Sequence, residues 1–282
     1  MGSNTVPCEG MRFASLAFIG LLGAAAVPRP ERSLVFHDRV SVLTALAGET
    51  VALEALDRRW TWTAPALPGL YPLLVVSNDQ RDSLTIQAFV LVPYDRLQGE
   101  YLNGYRIGRY PARPLRGLDI YRAPAGFVEV TRENENAFVS PHFRLKQFLC
   151  KQTGGYPKYI VLNEALIQRL EQLLELANAS GYSASTFHVM SGYRTPAYNR
   201  GLGNVPYSRH TFGSAADIFI DENHDGVMDD LNRDGHSDVR DAEVLYRLFD
   251  GTQSSGGLGK YHATTAHGPF VHVDLRDRRA RW

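Results

Sequence analysis

Ser208-Arg-His-Thr-Phe-Gly-Ser-Ala-Ala-Asp217 sets an imidazole, His210, seven residues before a carboxylate, Asp217, with Gly213 and two alanines between them. Small residues let a backbone turn tightly and crowd against a site. Nearer the C-terminus, Phe270-Val-His-Val-Asp274 reads as a strand, in which His272 and Asp274 point to the same face. Two imidazoles and one carboxylate form a zinc ligand set with a fourth position left for water, as in catalytic rather than structural sites. Scattered His and Asp residues are more often ordinary core or surface residues, so spacing alone leaves both readings open.

The segments around these two stretches carry mixed signals. Asn163 can cap a helix in which Leu166, Ile167, Leu170, Leu173, Leu174 and Ala177 share one face, and Gly181 suits its C-terminal end. Thr186–Met190, Ala215–Ile220 and Pro269–Leu275 read as strands, and Asp241–Phe249 as a second helix. This order predicts an α+β fold for residues 136–282, with helices packed on an antiparallel sheet. From Leu34 to Tyr94, short alternating runs such as Thr50-Val-Ala-Leu-Glu54 and Trp60-Thr-Trp-Thr63 are punctuated by Gly, Pro, Asn and Asp. They predict a small β-sandwich-like domain over 31–98. The Pro-, Gly-, Arg- and Tyr-rich segment 99–135 reads as the linker.

The 282 residues hold 30 Lys+Arg against 30 Asp+Glu, which removes the electrostatic case for nucleic acid as a partner. Arg12 and the apolar run Phe13–Leu22, ahead of Ala24-Ala-Ala26, read as a signal peptide over 1–26. The run is too short for an ordinary membrane span, so membrane contact is expected only through this segment if it stays uncleaved. Export to the periplasm or cell exterior follows. Cys8 and Cys150 cannot form a disulfide framework, and Cys150, in an amphipathic setting, is expected to be buried.

Ser208-x-His210-x-x-Gly213-x-Ala215-x-Asp217, preceded by Ser191-Gly-Tyr-Arg-Thr-Pro-Ala-Tyr-Asn199 and followed by Gly268–Asp274, resembles the D-Ala-D-Ala carboxypeptidase and murein endopeptidase family of zinc metallopeptidases. That family is related to the hedgehog fold. The likeness runs from about Ser140 to the closing Arg-Ala-Arg-Trp282. It implies zinc held by His210, Asp217 and His272, Arg194 facing substrate, and hydrolysis of peptidoglycan stem peptides by water activated at zinc. A guanidinium there suits a peptide carboxylate or an oxyanion, with a structural salt bridge as the other reading. Ser208 either binds substrate or fixes its loop.

Where many relatives carry a general base before the last ligand, this chain has Pro269 and Phe270, and neither can move a proton. Asp274 is the first candidate base, with orientation of a ligand as its alternative role, and His267 is the second. Asp230, Asn232, Asp234, Asp238 and Asp241, with Gly235 at position 6, have the spacing of a twelve-residue calcium loop, or of a solvated turn. Carboxypeptidase and crosslink endopeptidase activities are both compatible with these residues. The rival class is a non-catalytic wall-binding or adhesion module with structural zinc and calcium.

Overall fold

Alternation builds the first half strand by strand, and burial follows it. Residues 32–36, 42–252 and 254–282 are described by the structure, a computed structural model; the signal segment and Cys8 lie outside them. Strands β1 (Arg32–Phe36), β2 (Val42–Ala45), β3 (Thr50–Ala55), β4 (Arg58–Thr63), β5 (Gly69–Val76) and β6 (Ser83–Val90) make two three-stranded sheets, ordered β1-β3-β4 and β2-β6-β5. In β3 every second residue, Val51, Leu53 and Ala55, turns inward to meet Leu43, Val75, Ile86 and Ala88 of the other sheet.

The segment expected to be a linker is folded. β7 (Val92–Pro93) and the hairpin β8 (Tyr101–Leu102) and β9 (Tyr105–Arg106) precede β10 (Gly126–Val130), which pairs antiparallel with β7 and with β11 (Lys158–Ile160). Tyr105, Ile107, Tyr110, Tyr121 and Phe127 close a core with Tyr159 and Phe212. The composition hid this because tyrosines and glycines without a period read as loop, whereas tyrosine rings bury large areas wherever their hydroxyls find partners.

In the second half, α1 (Glu164–Ala179) is capped by Asn163, whose side chain accepts the Ala165 amide, and all six residues of its expected apolar face are buried. It is followed by β12 (His188–Ser191), α2 (Pro196–Gly201), β13 (Ala215–Phe219), α3 (Val239–Asp250), β14 (Gly257–Tyr261), β15 (Phe270–Asp274) and β16 (Ala280–Arg281). The strands form one five-stranded sheet, β12-β13-β15-β14-β16, antiparallel except between β14 and β16. The α+β expectation is met. Ala216, Ile218, Leu258, Val271 and Val273 share a core with Leu166, Leu170 and Leu245 of the helices.

Two features tie the halves together. Val42 and Phe89 belong to this large core rather than to the sandwich core. The backbone amide and hydroxyl of Thr44 on β2 donate to Glu164 Oε1, in the first turn of α1, at 2.9 and 2.8 Å. Among the described residues, no helix is long and apolar enough to cross a membrane.

Candidate metal centre

Sheet register brings together residues far apart in sequence. Asp217 lies directly opposite His272, and the same row continues to Ser191 on β12 and Gly259 on β14. His210 comes from outside the sheet, on the short 3-10 turn Arg209–Phe212. That turn closes on Gly213, whose φ is +64° and whose missing side chain leaves room for the Val161 carbonyl. His210, Asp217 and His272 each offer a ligand atom within 4.8 Å of the others, and they are the only such group among the described residues. His210 Nε2 and His272 Nδ1 approach Asp217 Oδ1 at 3.3 and 2.7 Å.

The atoms on the far side of each ligand are tied down. His210 Nδ1 donates to the Gly192 carbonyl at 2.8 Å, which leaves Nε2 as the lone-pair nitrogen. Burial lowers the His210 pKa, keeping the ring neutral and able to ligate. The second oxygen of Asp217 accepts Arg194 Nη2 at 2.6 Å. Burial opposes the charge on Asp217, but His210 and His272 outweigh it and hold the carboxyl far below the usual carboxylate range. His272 Nε2 faces Asp274 Oδ2 at 3.2 Å; burial disfavours the charged ring, yet its bonds to Asp217 and Asp274 raise its pKa overall. Two imidazoles and a carboxylate, each oriented from behind, fit zinc.

The Ser191–Arg194 motif supplies much of this support. Ser191 Oγ accepts Arg194 Nε at 2.8 Å, the Gly192 carbonyl holds His210, and the Arg194 amide donates to the His210 carbonyl at 3.1 Å. Gly192 carries no side chain because the Phe148 backbone presses against it. Tyr193 is buried with its hydroxyl 2.9 Å from that of Tyr110, which itself donates to the Thr211 carbonyl. Arg194 thus forms the structural salt bridge to Asp217, while its Nη1 makes no hydrogen bond among the described residues.

Asp274 does not stand where a base would. Its carboxylate lies on the Nε2 side of His272, opposite the nitrogen that meets Asp217. It is almost fully buried and accepts the Gly257 amide and the Arg276 guanidinium, with Arg209 Nε 3.4 Å away. Burial works against its charge, but His272 and Arg276 hold its pKa well below the ordinary range. An anion so saturated with donors is a poor proton acceptor, and its place is that of a partner orienting His272. His267 is not brought to the trio by any described contact; its Nδ1 pairs with the Gly268 carbonyl and its ring meets Phe270 edge-on. Ser208 precedes the 3-10 turn, and its carbonyl accepts the Thr211 amide and hydroxyl; its own hydroxyl makes no hydrogen bond among the described residues.

The expected calcium loop finds no support in this arrangement. Asp230 accepts the amides of Asp234 and Gly235, Asn232 accepts that of Asp234, and Asp234 and Asp238 pair with Arg240. Asp238 caps α3, and Asp241, fully buried, accepts the amides of Leu231, Asn232 and Asp238. Among the described residues, no three of these carboxylates lie within 4.8 Å of one another. These are Asx turns and a capping box, the solvated-turn reading.

Sequence reasoning missed several contributors. Arg276 and Arg209 clamp Asp274, and Trp282 lies with its ring 5.5 Å from that of His272, under the Arg276 guanidinium. Gly257 and Gly259 leave room for the Asp274 carboxylate and the Trp282 indole. The alternation of Asp274 and Arg276 was a readable signal for the first clamp; Tyr110 gave none.

Residues 141–242 match the family model described as Peptidase M15. This match supports an M15 peptidase-like family for the C-terminal half. M15 peptidases are zinc-dependent, in keeping with the His-Asp-His group. The M15 match includes His210 and Asp217 and ends before His272, which the pairing of β13 with β15 delivers. No curated protein matches the chain.

Proposed function

We propose that the protein is an exported zinc metallopeptidase that hydrolyses peptidoglycan stem peptides. The observation that carries the reading is the convergence of His210, Asp217 and His272, with the outer atom of each ligand already engaged by Gly192, Arg194 or Asp274. The signal-like segment supports export, and the likeness to wall peptidases supports the substrate class.

Zinc, when bound, supplies a Lewis acid for the scissile carbonyl and for water. The chain's own residues do the rest. Gly192 fixes the tautomer of His210, Arg194 holds Asp217 while leaving Nη1 for substrate, and Asp274 fixes the ring of His272. Arg276 and Arg209 keep Asp274 anionic, so that it accepts a hydrogen bond from the Nε2–H of His272 and leaves Nδ1 as the nitrogen that faces Asp217.

Purified sacculi digested with the protein, with and without a chelator, test the proposal. Muropeptides shortened or unlinked only when zinc is present are expected, and neither should form with His210→Ala or His272→Ala. Cleavage that survives chelation and both substitutions would remove the zinc reading. Intact sacculi after digestion with the fully zinc-loaded protein would remove the substrate.

A further inference from the structure

Among the described residues, one cation beside the centre has no ion-pair or hydrogen-bond partner. The ion pairs around the trio join three guanidinium groups, Arg194, Arg209 and Arg276, to two carboxylates, Asp217 and Asp274. Positive charge is already in excess there before a metal is counted. Lys151 adds to it, for among the described residues its amino group makes neither an ion pair nor a hydrogen bond.

Its position is fixed by its two neighbours. Cys150 Sγ accepts the Thr195 amide at 3.5 Å, and Gln152 Oε1 accepts the Thr195 hydroxyl at 2.7 Å. Just before them, the Phe148 carbonyl accepts the Tyr193 amide at 3.1 Å. The stretch from Phe148 to Gln152 therefore runs along the loop that carries Arg194, and Lys151 stands beside the residue that holds Asp217. Although Lys151 is exposed, its amino group sits close enough to protein for burial to lower its pKa, with Arg194 pushing the same way and Asp217 opposing. Beyond Gln152 the wall opens into a cavity of about 450 Å³ lined by Asn103, Arg106, Gln152, Thr153, Tyr156 and Tyr198 among others. Lys151 immediately precedes Gln152, whose side chain lines that cavity, and Arg194 and Asp217 act on its charge from the other side.

We propose that Lys151 is a specificity-determining residue that takes a carboxylate of the peptide substrate, the peptide running from the metal trio toward the cavity beyond Gln152. This rests on the peptidase reading and adds the substrate's charge and direction to it. An uncompensated ammonium near a metal centre favours an anion, and a compact point charge on a flexible stem can reach one without a preset plane. A stem peptide offers such a group at its free C-terminus and on its internal acidic residue.

The test uses the zinc-loaded full chain and three synthetic stem pentapeptides: one with both carboxylates free, one amidated at the C-terminus, and one amidated at the internal acid. Lys151→Met should retain zinc and lower kcat/KM on the free peptide by roughly 10- to 100-fold, the range of one lost charge-assisted hydrogen bond, chiefly through KM. It should cost nothing more on whichever amidated peptide lacks the recognised carboxylate, which identifies the source, and Lys151→Arg should restore most of the loss. Equal losses on all three peptides, or none, overturn the proposal.

Should the zinc-loaded parent cleave none of the peptides, the peptidase reading fails on its own. Calorimetric binding of the same three peptides then decides for Lys151. A carboxylate-dependent loss of affinity in Lys151→Met supports the role, and its absence rejects it.

Discussion

Asp274 shows how one residue's role depends on which nitrogen of a neighbour it faces. On the sequence it shares a strand face with His272 and is the nearest acid to it, which makes it a candidate base. In the fold it meets Nε2 while Nδ1 meets Asp217, and Arg276 and Gly257 take up its other lone-pair directions. Asp274→Asn should accordingly weaken zinc binding by roughly 10- to 100-fold, the usual cost of a lost ligand-orienting partner. Turnover should largely recover at saturating zinc. A zinc titration read by both metal content and rate checks this; normal zinc affinity with a rate that no metal restores would return Asp274 to proton transfer. The sequence could not resolve this because strand parity says which face a side chain is on and nothing about ring orientation. His210 and Asp217 were legible through the family motif Ser208-x-His210-x-x-Gly213-x-Ala215-x-Asp217, since their spacing alone left an ordinary core or surface reading open.

At the scale of elements, the acidic stretch before α3 is a lesson in spacing. Its aspartates recur at positions that suit a cation, but the same short side chains also suit backbone amides two to five residues on, and the fold spends them that way. Asp241 is the member that matters most for stability, since it is fully buried and accepts three amides at the start of the helix. Asp241→Ala should cost about 1–3 kcal/mol, because it leaves buried donors unpaired. Urea unfolding of parent and variant measures it, and a loss within error would mean the turn holds without its cap. Helix α1 was readable in full, cap and apolar face together, because a 3.6-residue period over sixteen residues has no competing explanation. The folded connector was unreadable because its strands are short and its core is made by tyrosines that follow no period.

Across the whole molecule, the boundary expected near residue 98 is crossed by structure. β7 and β10 pair over it, Val42 and Phe89 are buried with the peptidase core, and Thr44 holds the first turn of α1. A chain so joined should melt in one cooperative transition, and removing residues 1–98 should lower the melting temperature of the remainder by several degrees, as follows for ~1–2 kcal/mol or more of lost burial. Calorimetry of the full and shortened chains decides it; two separated transitions in the full chain would show that the junction carries little energy. The chain's three tryptophans add a consequence for watching this happen. Trp60 and Trp62 lie on β4, while Trp282 is packed beside the His272 imidazole. Indole emission is quenched by a protonated imidazole at close range, so a chain with Trp60 and Trp62 replaced by phenylalanine would glow or dim with the charge state of His272. The protein carries its own optical gauge of the candidate metal centre, and a second one on β4 for the N-terminal half.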